Sequence, residues 1–485
     1  MDTAHTENEG AKANLGLWDA TSIVVGIIIG VGIFDLPQSV FRLAPGPFEV
    51  MMVWMLGGIL AMVGALCFAE LSAAYPHSGG EYVYLTRAYG SLTGFLYGWA
   101  QLAVIRPASI AAMAYIFADH ARRLVSIDPL LLAVIPVVVL TIINILGATL
   151  GAGTQVLLTA AKVIGLAGLV LFGLFRSDLH FPEPEYLPTE TGWFASAMFL
   201  VLWVYAGWNE AAYIAAEVKN SRRNLPLALI LGTLTVTVIY LLVNGAILLA
   251  LGFDGARHQK TGDVLRGPLA SRVFHLAVMI SALGAINGMI FTTARIYWAC
   301  GQDHRLFKSL SHWSRLGTPI RALVIQGILN VAYLLGAAWA SRGPDPALIA
   351  AGTVGLLGSD MGPIAATASF AVHVQEESLL DFWIYLTAPV FWFFFFLAGL
   401  SLLVLRSTDP DTPRPFRAPL YPILPIIFCG WCGYMMLACI EKLKYQSFFG
   451  FLVLLVGLPL YYLPKKKRRQ RVGQDGSILA GVQQK

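Results

Sequence analysis

The sequence predicts an all-α membrane protein of about twelve transmembrane helices, and three observations carry that prediction. Of 485 residues, 57% are hydrophobic and only 13% charged, with a mean hydropathy of +0.68. A soluble chain of this size has roughly a quarter of its residues charged. The apolar residues come in blocks of about 18 or more, each long enough to cross a hydrocarbon core about 30 Å thick as a helix. The ten-residue alternation of a membrane barrel is absent, and lipid admits only helices or closed barrels, because every backbone polar group must find its partner internally.

Apolar runs, set against charged and Pro/Gly punctuation, place spans near 17–44, 48–75, 91–118, 129–147, 153–175, 192–216, 226–252, 269–300, 321–340, 380–406, 418–440 and 447–463. The stretch 347–374 is apolar, rich in Ala and Gly, and carries Asp360; it reads as a re-entrant or external insertion. Charge orients the chain. Twelve spans put both termini on one side with Lys219, Arg222, Arg223, Arg305, Lys308, Arg315, Arg406, Arg414, Arg417 and the run Lys465–Arg469. The other side keeps fewer bases, such as Arg122, Arg123, Arg257 and Lys260. Both termini are therefore expected in the cytoplasm, with the protein in the cell (inner) membrane. Residues 1–16 read as a polar, disordered arm with no cleavable signal peptide, 17–464 as the membrane domain, and 465–485 as a basic, disordered tail. The basic run would either meet anionic lipid or act as the stop-transfer flank of the last helix.

Several function classes fall away. Cys67, Cys300, Cys429, Cys432 and Cys439 lie within or at the ends of apolar segments, so no disulfide framework is implied, and Cys429-x-x-Cys432 reads as two small apolar residues. The nine histidines show no metal-ligand spacing, and neither metal nor cofactor is expected. The net charge of +5 sits in loops and tail rather than on one stripe, which gives no case for nucleic acid. No mid-membrane nucleophile–base set suggests an enzyme, and no repeated filter or ring of charge suggests a channel.

Two spans are interrupted by glycine at mid-membrane depth. The first reads Gly26-Ile27-Ile28-Ile29-Gly30-Val31-Gly32-Ile33-Phe34, with Pro37 after it; the sixth reads Trp203-Val204-Tyr205-Ala206-Gly207-Trp208-Asn209. Such glycines serve either close helix contacts or a break that lines a cavity. Spans one and six are five apart, at equivalent positions of two five-helix halves, 17–175 and 192–406, with 418–463 as two extra helices. Discontinuous helices at matched positions point to a transporter's binding site. The chemistry suits a zwitterion: one half-helix offers bare N–H groups to a carboxylate, the other offers carbonyls to an ammonium.

These motifs resemble the amino acid–polyamine–organocation superfamily, in particular the L-type amino acid transporters and their bacterial relatives. The family's Gly-Ser-Gly-Ile-Phe is matched by Gly30-Val31-Gly32-Ile33-Phe34. Further matches are Ala69-Glu70-Leu71, Ser78-Gly79-Gly80-Glu81-Tyr82, Ile105-Arg106-Pro107-Ala108-Ser109, Ala160-Ala161-Lys162, Gly207-Trp208-Asn209, Arg223-Asn224-Leu225-Pro226, Gly284-Ala285-Ile286-Asn287-Gly288 with Arg295, and Arg414-Pro415-Phe416-Arg417. The resemblance implies a five-plus-five inverted repeat with two extra helices and a central amino-acid site. It would put the substrate carboxylate at the backbone of Ile28, Val31 and Gly32 beside Gly30, and the ammonium at carbonyls around Trp203, Val204 and Ala206. Trp203 would be an aromatic gate, and Asn209 and Ile105 would line the side-chain pocket. Val31 departs from the family's serine. The loop after span three lacks the cysteine by which mammalian members bond a glycoprotein subunit, so no such partner is expected.

Lys162 lies near the middle of span five, where a lysine costs roughly 2.5–3.5 kcal/mol on insertion scales. The resemblance implies a built-in cation where sodium-coupled relatives hold sodium, fixed or proton-exchanging; snorkelling to the interface is the alternative. Glu70, Arg106 and Arg295 would pair internally or snorkel. Glu217 reads as a solvated helix end, or as a gate partner of Lys219, and Asp35 would help order the outer half-helix. With no charged residue clearly facing the pocket, the expected function is sodium-independent transport of neutral L-amino acids, by exchange or proton coupling. Glu210 keeps cationic amino acids and polyamines open, and an amino-acid sensor is the other alternative.

Overall fold

A computed structural model of the chain describes residues 13–175, 192–265, 267–341 and 379–463. The insertion expected at 347–374, the basic run Lys465–Arg469 and most of the N-terminal arm lie outside those residues. The helices, in chain order, are α1 (Leu17–Ile28), α2 (Gly32–Asp35), α3 (Pro37–Leu43), α4 (Pro47–Ala74), α5 (Glu81–Tyr89), α6 (Ser91–Ala100), α7 (Arg106–Ala121) and α8 (Pro129–Leu146). They continue with α9 (Ala148–Leu174), α10 (Trp193–Val204), α11 (Ser221–His258), α12 (Pro268–Asp303), α13 (Ile320–Ser341), α14 (Leu379–Thr408) and α15 (Ile423–Tyr462). Among the described residues nine helical segments are long and apolar enough to span a membrane, and Leu15↔Val218 is an isolated bridge rather than a strand.

The first break sits where β-branched residues give way to glycine. Both are poor helix formers, and the run Ile27-Ile28-Ile29-Gly30 ends α1. The Gly30 N–H turns back onto the Ile28 carbonyl at 2.7 Å, and helix resumes at Gly32. Gly32 is required by close approach: a Cβ there would stand 2.9 Å from Val204 Cγ2 and 3.2 Å from Trp203 Cζ3. Gly26 is not part of the break. It lies inside α1, where a Cβ would overlap Thr159 and Gln155 of α9, so this glycine serves helix packing.

The second break is at Tyr205–Gly207, where Gly207 takes φ +112°, a conformation that side chains strain to adopt. Beyond it the chain continues as a 3₁₀ helix, Trp208–Glu217, rather than a resumed α-helix. Both expected discontinuities are therefore present, and they face each other.

A third irregularity shapes the site. Between α6 and α7 the backbone widens into a π-turn at Gln101–Ile105. Pro107 has no N–H to return to the carbonyl four residues earlier. The Ala103 carbonyl instead accepts from the Tyr333 hydroxyl.

Two expectations change. The separate twelfth span expected at 447–463 is joined to its predecessor: backbone helix runs through Ile423–Tyr462, with apolar stretches at Ile423–Ile440 and Gly450–Tyr462. Phe428 packs on Phe68 while Tyr461 packs on Phe95, so the two ends behave as neighbouring spans rather than as one straight rod of about 60 Å. Leu15, expected in the free arm, is buried: its N–H donates to the Glu217 carbonyl and its carbonyl accepts from Lys219 N–H.

Candidate functional site

The loose ends of the two broken helices border one cavity of ≈ 130 Å³. Ile28, Gly30, Val31 and Gly32 come from the first break, Trp203, Val204, Ala206 and Asn209 from the second, and Ile105 from the π-turn, so the structure brings all nine expected lining residues together. Met113, Met289 and Phe391 add apolar wall, and Ser109 and Thr387 also line it.

Breaking α1 strands carbonyls that a continuous helix would have satisfied. Lys162 answers this from α9. Its ammonium, fully buried, donates to Gly26 O at 2.6 Å, Ile29 O at 2.7 Å and Ser281 O at 3.2 Å. The snorkelling alternative is thereby excluded. Ser281 Oγ reaches Gly30 O at 2.8 Å. The Tyr240 hydroxyl lies 2.8 Å from Ile28 O and 3.2 Å from Val204 O, a single group touching both breaks. Sequence reasoning misses Tyr240 and Ser281; a lone polar residue within an apolar span is the available signal.

The Ile28 carbonyl is thus already engaged, by the Gly30 N–H and the Tyr240 hydroxyl. Val31, Gly32 and Ile33 precede the first hydrogen-bonded turn beyond the break, which begins with Phe34 N–H on Val31 O. Their amides are the donors that α2 leaves open.

Charge reaches the cavity as a pair: Glu210, expected only close to the pocket, lines it, and so does Arg106. Arg106 Nη1 stands 2.6 Å from Glu210 Oε1. Arg106 Nε donates to Gln101 Oε1 at 2.9 Å, and Thr292 Oγ1 donates to Glu210 Oε2 at 2.6 Å. Asn209, which lines the cavity, donates from Nδ2 to Glu81 Oε1 at 2.6 Å and to the Tyr213 hydroxyl at 2.8 Å.

Glu217 is buried at 3% exposure, not a solvated helix end, and its carboxylate takes both Arg295 Nε at 2.8 Å and Nη2 at 2.9 Å; Arg295, not Lys219, is its partner. The pair ties the 3₁₀ segment to α12 at the end of the bundle where Leu15 docks. Glu70 is likewise buried and holds Arg406 at 2.7 Å and 2.5 Å, with the Ala418 N–H at 2.7 Å, which accounts structurally for the Arg414–Arg417 loop. Asp35 stands 3.9 Å from His120 Nε2. The five cysteines are buried, and no disulfide joins them.

A helical membrane bundle in which two interrupted helices meet around a small, internally backed cavity has the build of a secondary transporter. A solved structure of Mhp1, a nucleobase-cation-symport-1 family transporter in a closed conformation with bromovinylhydantoin bound, shares this fold at TM-score 0.51 and 15% identity, covering 93% of this chain and 99% of its own. The chain belongs to the amino acid permease family, whose model matches residues 15–458, and it is a transport protein rather than an enzyme. It is similar to the human b(0,+)-type amino acid transporter 1, 31% identical over 93% of this chain and 88% of that one. It is also similar to the serine/threonine exchanger SteT of Bacillus subtilis (strain 168), at 29% over 96% and 99% of the two chains. The mouse large neutral amino acids transporter small subunit 2 is 27% identical, covering 93% and 81%.

Proposed function

We propose that this protein moves neutral L-amino acids across a cell (inner) membrane by alternating access, as a sodium-independent secondary transporter. The observation that carries the reading is the cavity between the two breaks. Open amides at Val31 and Gly32 suit a carboxylate, and carbonyls around Trp203 and Ala206 suit an ammonium. Its ≈ 130 Å³ falls near the about 150 Å³ that accommodates a benzene-sized ligand, which favours small to medium side chains. Val31 in place of a hydroxyl residue leaves the amide but adds an apolar contact.

Neutral rather than cationic substrates are favoured by Glu210, whose oxygens are engaged by Arg106 and Thr292. A lysine-like substrate or a polyamine would need a carboxylate with spare capacity. Lys162 supports sodium independence, because a fixed ammonium already holds the carbonyls freed by the break. Relatives named as exchanger and as amino acid transporters support transport over sensing.

In this reading residues 17–175 and 192–406 are inverted five-helix repeats within 17–464, 418–463 supplies the two extra helices of a twelve-span chain, and both termini are cytoplasmic. Residues 122–128 contain no cysteine, in keeping with a chain that works without a covalently linked glycoprotein subunit. Lipid and the substrate are its expected partners. The test is counterflow of each of the twenty labelled amino acids into preloaded proteoliposomes, with and without sodium. Uptake of a neutral subset, indifferent to sodium, is expected. Binding without counterflow would make the protein a sensor, and uptake restricted to cationic solutes would overturn the substrate class.

A further inference from the structure

Beside the cavity lies a buried polar cluster with one carboxyl too many. Glu81 opens α5, a short helix outside the spanning set, yet it is only 1% exposed. The preceding glycines explain its burial. Gly79 and Gly80 take φ +112° and +50°, Gly79 N–H donates to Tyr213 O at 3.0 Å, and a Cβ on Gly80 would collide with the Tyr213 ring. The loop is thereby clipped onto the 3₁₀ segment beyond the second break, with Glu81 pressed inside.

Several elements face this carboxyl. From the 3₁₀ segment, Asn209 and Tyr213 donate to Glu81 Oε1 at 2.6 and 3.0 Å. From α7 comes Arg106, committed to Glu210 at 2.6 Å and to Gln101 at 2.9 Å, with Nη2 3.3 Å from the Tyr213 hydroxyl. Tyr97 of α6 adds a neutral hydroxyl 3.0 Å from that of Tyr213, and α4 and α14 bring Phe68 and Phe394 against Tyr84 and Tyr97. Glu81 and Glu210 thus share one guanidinium, and Arg295 is taken by Glu217. Glu81 Oε2 and the Tyr84 hydroxyl are buried with no hydrogen-bond partner among the described residues. An ionised carboxylate so placed is far costlier than a neutral carboxyl. Burial, with the Glu210 charge adding to it, pushes the Glu81 carboxyl up to about 8, against its own backbone and Tyr213 hydrogen bonds and the Arg106 charge.

We propose that Glu81 is a proton-binding site that couples amino-acid movement to a proton. The proposal rests on the transporter reading above. In the conformation described here Glu81 holds a proton, one side chain (Asn209) away from the substrate cavity, from which the proton arrives. When the 3₁₀ segment swings to open the other end of the bundle, the clip at Gly79–Tyr213 releases, Glu81 meets water, its carboxyl returns to an ordinary acidity, and the proton leaves on the side where the substrate leaves. One O–H bond forms on one face of the membrane and breaks on the other.

The test uses the full chain in proteoliposomes with labelled L-threonine, and L-leucine in parallel. In empty vesicles an inside-alkaline gradient is expected to raise wild-type uptake at least threefold, and added amino acid to acidify a lumenal pH dye. E81Q, which mimics the protonated state, is expected to keep counterflow at equal pH within about threefold while losing the gradient response. Wild-type uptake indifferent to the gradient, with no lumenal acidification, overturns the proposal whether or not the variant folds. A gradient response retained in E81Q overturns the assignment to Glu81. Absence of wild-type counterflow for any amino acid strikes instead at the transporter reading.

Discussion

Replacing Lys162 by methionine keeps the length of the side chain and removes its charge. Of the three carbonyls that lose the ammonium, Ser281 O lies inside α12, and the two freed by the break bear most of the consequence. Gly26 O, whose helical partner Gly30 N–H is turned to Ile28 O, loses its donor, and Ile29 O keeps only Ser281 Oγ at 3.1 Å. One buried carbonyl left unpaired costs about 1–3 kcal/mol, and one charge-assisted hydrogen bond lost elsewhere about 1.5–3 kcal/mol. Against this, an ammonium no longer has to be placed in the membrane, which returns roughly 2.5–3.5 kcal/mol. The terms nearly cancel, leaving a net change between about 1 kcal/mol of stabilisation and about 3.5 kcal/mol of destabilisation. For a chain of this length that is a melting shift of no more than about 5 °C. Function does not share the cancellation, because the break loses the strut that fixes its carbonyls and, through them, the amides at Val31 and Gly32. Lys162→Met is therefore expected to melt near wild type in detergent while counterflow falls by at least about tenfold, which corresponds to about 1.4 kcal/mol. A melting loss above about 10 °C, or counterflow at the wild-type rate, would refute the reasoning.

Gly32→Ala adds a Cβ against Val204 and Trp203 across the cavity; overpacking of about 1–3 kcal/mol is expected, read as loss of amino-acid protection in a thermal-shift titration. Tyr240→Phe removes the hydroxyl shared by Ile28 O and Val204 O, and should raise the half-saturating substrate concentration several-fold with little change in expression. Arg295→Met leaves Glu217 charged and buried, costing about 3–5 kcal/mol, whereas Arg295→Met with Glu217→Leu should recover most of the lost melting temperature. Recovery absent from the double variant would mean that the pair does more than neutralise itself.

Much of this protein is legible without coordinates. Hydropathy alone gives a helical membrane chain, because lipid leaves no other solution for this composition. The break positions are legible from Gly30, Gly32 and Gly207, since glycine and β-branched runs are weak in helices wherever they stand. Lys162 is legible as a residue that must find internal partners, because a mid-span cation is costly without them. The illegible part depends on pairs distant in sequence. That Glu217 faces Arg295, that Arg106 neutralises Glu210, and that Glu81 is drawn inward are decided by how α5, α7, α12 and the 3₁₀ segment meet. Gly26 resembles part of the first break because spacing does not reveal that α9 passes over it. Composition and local propensity act along the chain and set which segments enter the membrane and where they fail as helices. The partners of each buried charge are chosen across the chain, by packing that brings residues far apart in sequence within hydrogen-bond reach, and only the tertiary structure makes that choice.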